Sequence, residues 1–478
     1  MIGSAGKVVP LVLVILLLGG CAVHRQQAVA PKGPLPGSFK EQAGPTVEEM
    51  PIGRWWETFG DVKLNGLMEE AFSGNLDIEV AFARLDQLQA VTRQTASVRY
   101  PSLNVEGEAG RSRRPGIFGD DTGDSYSLSL AAGYEVDLWS KRKAGTLAAS
   151  LDAEATREDV RALFISLSAR LVDLYYLAVE QRAQIQLTDI TIASFADTLE
   201  RVTWRYTQGL VPALDVYQAR QNLAFARASR PVFEANLAEA EHAIAIILGR
   251  YPEMDLAGDL AKFPETPAAF PAGIPSRVLM ARPDVRAEFL RVEASDARVA
   301  EAIADRFPSF NLLGSYGTSK TAFSSGDITG VFWSLFGSLT LPVIDGGRRR
   351  AEVDRTEAAF RESLARYRGK VLEAVSEVED ALVKNRTTEE RIEVLKEQVD
   401  ATEGSLRLSL ERYLLGISDY LPVLSAQGAH FRVKSQLLAA RRQLISDRVS
   451  LARALGGNWM DEEMGDRLKV ENEGGSEQ

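Results

Sequence analysis

Arg99-Tyr100-Pro101-Ser102-Leu103-Asn104 recurs in the chain as Arg306-Phe307-Pro308-Ser309-Phe310-Asn311, a displacement of 207 residues from 99 to 306. The same displacement relates Tyr206 to Tyr413 and Gly209 to Gly416. Because no insertion separates these matches, we interpret the body of the protein as two copies of one unit. Each copy is far longer than the period of about 20–50 residues that is typical of a solenoid, and we expect the copies at 64–249 and 271–456.

Each copy begins with a helical pattern that a proline ends. Residues 64–98 and 271–305 place apolar side chains at helical spacing. The residue before a proline is pushed out of the helical region, so Tyr100-Pro101 and Phe307-Pro308 should stop these helices. Strict alternation then predicts four strands, near 102–111, 125–138, 309–318 and 330–343. The segments between paired strands, 112–124 and 319–329, are rich in Gly and Ser and predict exposed turns.

The strands have one apolar face and one polar face. In the second strand Tyr126, Leu128 and Leu130 alternate with Ser127 and Ser129. Period-two alternation predicts a half-buried strand, and runs of about ten residues match a transmembrane β-strand. Four such strands cannot close a membrane barrel, because the smallest known barrels need about eight. We therefore expect the strands to be pooled between subunits, eight in a dimer or twelve in a trimer, around a water-filled lumen.

Each copy continues as a very long helix that turns back on itself. Segments 140–205 and 346–412 contain almost no helix-breaking residues, and about 65 residues would extend roughly 100 Å. A helix of that length predicts a coiled coil or a helical barrel. Gly209 and Gly416 favour the left-handed position that ends a helix, so each copy should form a hairpin with a return helix, near 213–248 and 420–455.

The composition excludes several classes of protein. The chain has 478 residues, 45% of them hydrophobic and 25% charged, one cysteine, three histidines and a net charge of -11. This apolar content excludes a mainly disordered chain, and one cysteine excludes a disulfide scaffold or a cysteine zinc site. The acidic balance gives no reason to expect nucleic acid as a partner. The histidines His24, His242 and His430 are isolated, so we expect no catalytic triad, no metal site and no cofactor.

The lone cysteine lies at the end of a signal-like segment. The apolar run from Val8 to Leu18 is too short to span a bilayer and is typical of a secretory leader. It ends in Leu18-Gly19-Gly20-Cys21, which resembles a bacterial lipobox, so we expect a leader at 1–20 and an acylated Cys21. Residues 21–45 are rich in Pro, Gly and Ala and predict a tether.

Taken together, these motifs resemble one family. Five motifs occur in the order found in TolC-like outer membrane factors: the lipobox, Trp55-Trp56, Asn75-Leu76-Asp77, Glu135-Val136-Asp137-Leu138-Trp139 and Leu455-Gly456-Gly457-Asn458-Trp459. Within that family, the chain is most similar to the lipoprotein branch that serves resistance-nodulation-division (RND) efflux pumps.

The resemblance implies an α+β fold. It implies a homotrimer in which a 12-stranded transmembrane β-barrel continues as a long periplasmic α-helical barrel, with equatorial segments at 46–63, 250–270 and 457–478. It implies no enzyme activity. It also implies that the chain is the exit duct of a tripartite exporter, with outer-membrane lipid, a periplasmic adaptor protein and an inner-membrane RND pump as partners.

In such proteins the helices that follow the hairpin turns narrow the periplasmic end of the channel. The resemblance places this aperture near Leu421 and Ser425, where Ser425 and Gly428 replace the Asp and Arg of relatives. This leaves Leu421 as the expected steric ring. Asp215 and Asp419 are the nearest carboxylates that could supply charge there instead, and the alternative role of both is to complement a helix dipole. Further candidates lie at the turns. Tyr206 and Tyr413 are candidates for the aperture. The candidates for adaptor docking are Gly209, Leu210, Val211, Gly416, Ile417 and Ser418.

Other interpretations stay open from the sequence alone. A duct for type I protein secretion would share the fold. A structural coiled-coil lipoprotein would explain the helices and the anchor, but not the alternating strands. The basic clusters Lys141-Arg142-Lys143 and Arg348-Arg349-Arg350 open the long helices, and they favour an anchor at anionic headgroups over nucleic-acid binding. The cargo is not indicated by any motif.

Overall fold

The computed structural model describes residues 24–27, 29–31, 36–40, 53–116, 119–254, 256, 270, 275–323, 326–457, 459–461 and 463–465. The predicted leader, Cys21, and parts of the predicted tether and of the equatorial segments lie outside the described residues. After a 3₁₀ turn at Trp55–Phe59, the elements are α1 (Val62–Gly74), α2 (Leu76–Ser97), β1 (Ser102–Gly116), β2 (Gly119–Val136), α3 (Lys141–Thr207), α4 (Ala213–Ile247), α5 (Pro275–Ala281), α6 (Pro283–Ala304), β3 (Ser309–Phe323), β4 (Gly326–Thr340), α7 (Arg348–Leu414) and α8 (Leu421–Leu455).

The chain divides into two compact units. One contains Met1–Lys32, Ala83–Arg157 and Arg286–Lys370, and it holds the sheet. The other contains Gly33–Phe82, Glu158–Val285 and Val371–Gln478, and it holds both hairpin turns.

The sheet is antiparallel, with the order β1-β2-β3-β4. Its register places Leu130 between Val105 and Tyr316, and places Trp333 beside Tyr316. Since directly paired residues share a face, these side chains form one apolar face. It is exposed to solvent within the chain, with Trp333 76% and Val105 71% accessible.

The strands end at different residues from those that the alternation predicts. β1 and β2 continue pairing up to Gly116 and Gly119, through most of the predicted turn 112–124, because backbone pairing does not need apolar side chains. At the other end β2 stops at Val136, since the Asp137 carboxylate accepts hydrogen bonds from the Arg142 and Lys143 amides at the start of α3. β4 stops at Thr340, and Pro342, two residues on, has no N–H with which to continue a ladder.

The long helices form two hairpins, α3 with α4 and α7 with α8. Both α3 and α7 have 67 residues, and both α4 and α8 have 35. Phe195 of α3 packs on Leu223 and Ala226 of α4, and Ile392 of α7 packs in one cluster with Val433 and Leu444 of α8. The equal lengths follow from the constant displacement of 207 residues.

An aromatic core fixes the segment before α1. Trp56 packs edge-on against Phe72 and Trp459, with ring centroids 5.6 and 4.7 Å away. Asp61 caps α1 by accepting hydrogen bonds from two amides, and it also accepts one from the Tyr175 hydroxyl at 2.7 Å. Of the described helices, α3 alone contains a stretch long and apolar enough to cross a bilayer, but most of that stretch is buried, as expected of a core helix.

Each copy contains the same close crossing of two helix ends. Asn75 donates a hydrogen bond to the Ile247 carbonyl at 2.8 Å, and its counterpart Arg282 donates one to the Ala454 carbonyl at 3.1 Å. The crossing is tight because a Cβ atom on Gly249 would lie 2.3 Å from the Gly74 carbonyl oxygen. Gly249 also has a φ of 73°, which favours glycine.

We predict that Gly249→Ala destabilises the fold by at least about 2 kcal/mol, through left-handed strain and the backbone clash. The matched control is Gly369→Ala inside α7, where a Cβ meets nothing within 4 Å, so it should be neutral or stabilising. Thermal unfolding followed by circular dichroism measures both. Equal midpoints for the two variants would show that the crossing is not constrained.

Candidate aperture at the helical hairpin turns

Both hairpins turn with the same backbone geometry. The Leu210 amide donates to the Arg205 carbonyl at 2.9 Å, and the Ile417 amide donates to the Arg412 carbonyl at 2.9 Å. Gly209 and Gly416 have φ values of 69° and 74°, the left-handed conformation that this helix ending requires. The two turns therefore share one local helix-ending motif.

The turns present apolar side chains to solvent. Leu210 is 59% exposed and Ile417 is 62% exposed, and Leu415 is 67% exposed beside them. Val211 and Ser418 are partly exposed. The six residues nominated from the sequence for docking are thus all accessible within the chain.

Next to the turns lies a cluster that we call the tyrosine cluster, formed by Tyr413, Tyr420, Val202, Val216, Ala219 and Val423. Tyr413 and Tyr420 are almost fully buried, and their rings meet edge to face with centroids 5.2 Å apart. Val202 comes from α3 and Val216 from α4, so the cluster joins one hairpin to the other.

Polar contacts cross the tyrosine cluster. The Tyr413 hydroxyl donates to Asp215 Oδ2 at 3.1 Å, and Asp215 is only 8% exposed. The Arg205 guanidinium lies 5.1 Å from the centre of the Tyr413 ring and donates to the Leu414 carbonyl at 2.6 Å. Cation, ring and carboxylate therefore bind the end of α7 to α3 and α4.

A buried amide extends this network. Gln427 on α8 accepts from the Tyr420 hydroxyl at 3.4 Å and donates to Thr198 Oγ1 on α3 at 3.0 Å. Asn222 of α4 also donates to Gln427, at 3.4 Å. Gln427 thus joins α8 to both helices of the first hairpin.

The tyrosine hydroxyls stay protonated over the physiological range. Burial raises the pKa of Tyr413 above its ordinary value of 10.0, and the Asp215 charge raises it further. Burial also raises the pKa of Tyr420, to about 12. Because these pKa values are higher in the folded than in the unfolded protein, the contribution of the two hydroxyls to stability is complete below pH 10. It is lost as the pH rises through the folded-state pKa values.

The residues nominated for the aperture fall into two groups. Asp215 and Tyr413 are buried and bonded to each other. Leu421 is 61% exposed and Tyr206 is 46% exposed, and Asp419 and Ser425 are also exposed.

Sequence reasoning nominated neither Arg205 nor Gln427. The repeat offered a partial signal, because Tyr206 and Tyr413 occupy equivalent positions. That only Tyr413 is buried becomes visible in the structure.

A groove of about 490 Å³ opens between α4 and α8. Ser425 and Gly428 lie on its wall with Phe225, Leu424 and Arg432. A Cβ atom on Gly428 would meet nothing within 4 Å, so the small residues leave this space open.

In the part of the chain that the structure describes, no group of three or more His, Cys, Asp or Glu side chains is placed to hold a metal ion.

An exposed apolar sheet face together with two long helical hairpins is typical of one class of protein, the outer-membrane channels with helical extensions. The chain belongs to the outer membrane efflux protein family, which it matches over residues 67–250 and 274–457. The two matched ranges correspond to the two copies of the repeat.

Relatives resemble the chain over nearly its full length. It is 28% identical over 464 residues to the solvent efflux pump outer membrane protein SrpC of Pseudomonas putida, covering 93% of this chain and 97% of the relative. It is 26% identical over 452 residues to a Salmonella typhimurium protein named "Probable outer membrane lipoprotein SilC", covering 94% and 98%.

Solved structures have the same fold. The outer-membrane channel OprN superposes with a TM-score of 0.84 at 28% identity, covering 92% of this chain and all of that one. CusC, whose structures describe transmembrane channel formation, superposes with a TM-score of 0.80 at 25% identity, covering 91% and 99%. The protein is therefore an outer-membrane efflux protein built as a tandem repeat.

We predict that Tyr413→Phe lowers the free energy of unfolding by about 1–3 kcal/mol, because it removes the hydroxyl that satisfies the buried Asp215 carboxylate. Tyr206→Phe is the matched control, since this tyrosine occupies the equivalent position but is half exposed. Its effect should stay within about 0.5 kcal/mol. Denaturant titration of both variants measures the difference, and equal losses would remove Tyr413 from the network.

Proposed function

We propose that three copies of this chain form the exit duct of a tripartite efflux system, open to water through the outer membrane. The observation that carries the proposal is the four-stranded sheet with an exposed apolar face, in a chain whose family is that of outer membrane efflux proteins. The duct carries small molecules outward and performs no chemistry on them.

The number of copies follows from the size of the lumen. Two copies would supply eight strands, and a barrel of about eight strands is just wide enough for its own side chains to fill. Three copies supply twelve strands and leave a lumen. The second face of the sheet is suited to line it, because it carries small and polar side chains such as Ser129, Ser315 and Ser334.

Contacts of the N-terminal segment support a lipid anchor at Cys21. His24 Nε2 lies 2.9 Å from Asp296 Oδ1 on α6, and Gln26 donates to Glu293 one turn earlier. The Gln27 amide also donates to Asp296, at 3.3 Å, so the segment is held beside α6. Asp296 is about 12 Å from the end of α6, and the three residues back to Cys21 can span about 10 Å. An acyl chain on Cys21 can thus reach the membrane edge of the sheet.

The exposed turns are the proposed docking site for a periplasmic adaptor, which would link the duct to an inner-membrane RND pump. Support comes from the exposure of Leu210 and Ile417 and from relatives that are named as components of efflux pumps. Leu421, which is exposed next to the turns, is the proposed steric ring of the aperture, with Ser425 behind it. The exposed Asp419 is the proposed source of charge there.

Conductance tests the duct. Purified full-length protein in a planar bilayer should give ion currents, and Leu421→Ala should raise the closed-state conductance severalfold by widening the aperture. Leu415→Ala, which truncates an exposed turn residue of the same type, is the control. A wild-type protein without current would contradict the duct, and equal currents in the two variants would remove Leu421 from the aperture.

Cys21→Ala should abolish labelling with radioactive palmitate, because no other cysteine exists in the chain. The trimer should still assemble, since we propose that strand pairing and helix packing hold it together. Labelling measures acylation, and light scattering in detergent measures assembly. Palmitate in the variant would contradict the anchor, whereas loss of trimers would contradict self-sufficient packing.

A further inference from the structure

One end of the sheet carries an excess of exposed cations. β1 and β3 begin at this end and β2 and β4 finish there, because the strands are antiparallel. The first turns of α3 and α7 follow directly and contain Lys141, Arg142 and Lys143, and Arg348, Arg349 and Arg350. Neither first turn contains an acidic residue, but the Asp137 and Asp345 carboxylates accept hydrogen bonds from amides at the two helix starts.

Three of the six cations are neutralised inside the chain. Asp305 binds Lys141 Nζ at 2.5 Å and Arg349 Nε at 2.9 Å, and thereby links the starts of α3 and α7. Arg142 binds Glu135 at 2.5 Å. These cations are half-buried and serve the fold.

The other three, which we call the free cations, are Lys143, Arg348 and Arg350. All three are exposed, and within the described residues none has a carboxylate within ion-pair distance. Two nitrogens of Arg355 bind Glu352, and Arg355 and then Arg348 hold the pKa of this carboxyl below its ordinary value. Within the described residues, the free cations therefore form no salt bridge of their own, although the Asp137 carboxylate accepts from the Lys143 amide.

Exposed apolar residues accompany the free cations. Val343 and Ile344, between β4 and α7, are 84% and 92% exposed, and Tyr100, just before β1, is 72% exposed. Apolar and aromatic side chains beside cations are typical of a membrane–water interface, where the former enter the acyl region and the latter meet phosphates. This edge is also continuous with the apolar face of the sheet.

We propose that Lys143, Arg348 and Arg350 bind the phosphates of anionic phospholipids in the leaflet that meets this end of the sheet. The proposal rests on the proposed insertion of the sheet into the outer membrane. Phosphatidylglycerol fits because it brings a negative charge without the cationic head of phosphatidylcholine. The duplicated sequence supplies such a site at both strand-to-helix junctions of the chain.

The test uses the full-length protein, stripped of lipid in a neutral detergent and titrated with phosphatidylglycerol or phosphatidylcholine. Native mass spectrometry counts the bound lipids. The wild type should prefer phosphatidylglycerol, and the triple variant Lys143→Gln/Arg348→Gln/Arg350→Gln should reduce that preference by about a hundredfold, at roughly fivefold for each cation. Inorganic phosphate at millimolar concentration should not displace the lipid if the acyl chains contribute to binding.

The matched control is Arg391→Gln/Lys396→Gln/Arg407→Gln, which removes the same charge from exposed positions elsewhere on α7. It should keep the preference. Equal loss in both variants, or no loss in either, would overturn the proposal, and displacement by inorganic phosphate would reduce the site to an ion site. Bilayer currents separate the two claims: a conducting triple variant without lipid preference supports the lipid site and the duct alike, whereas a silent wild type contradicts the duct alone.

Discussion

The outer strands of the sheet, β1 and β4, each have a hydrogen-bonded neighbour on one side only. In water such edges are tolerated, but in lipid each unpaired backbone group costs several kcal/mol. The apolar face that carries Trp333 and Leu335 directs this sheet toward lipid. Edge and face together require other strands to complete the structure, so a lone chain is incomplete and hydrogen bonding requires further copies of it.

The duplication explains the architecture. At some equivalent positions the two copies carry different residues, which make different contacts. Asn75 and Arg282 occupy equivalent positions and hold equivalent carbonyls, but Arg282 also binds Asp284 and Glu377. Asp305 joins the starts of two long helices, whereas Val98 at the equivalent position has no charge to do so. The two copies therefore share one backbone and differ in the ion pairs that hold it.

Period and spacing predicted most of the fold. The 207-residue displacement and the glycines of the turns are local signals, and alternation along β2 revealed which face is apolar. The strand ends were less accessible to prediction, because ladder pairing through 112–116 depends on backbone partners and not on side-chain pattern. The network around Tyr413 was also hidden, since its partners Asp215 and Arg205 are distant from it in sequence and only packing brings them together.

The strength of the tyrosine cluster limits how the proposed aperture can open. A hydrogen bond to a carboxylate contributes about 1.5–3 kcal/mol, and a neutral one such as Tyr420 to Gln427 about 1 kcal/mol. Shifting a two-state equilibrium from 1:99 to 99:1 needs about 5.5 kcal/mol of differential binding. Three copies of such a network exceed that value together. An opening motion that broke this network in every copy would therefore need a bound partner, and the exposed turns are the proposed place for it. Motions that leave the network intact do not carry this cost.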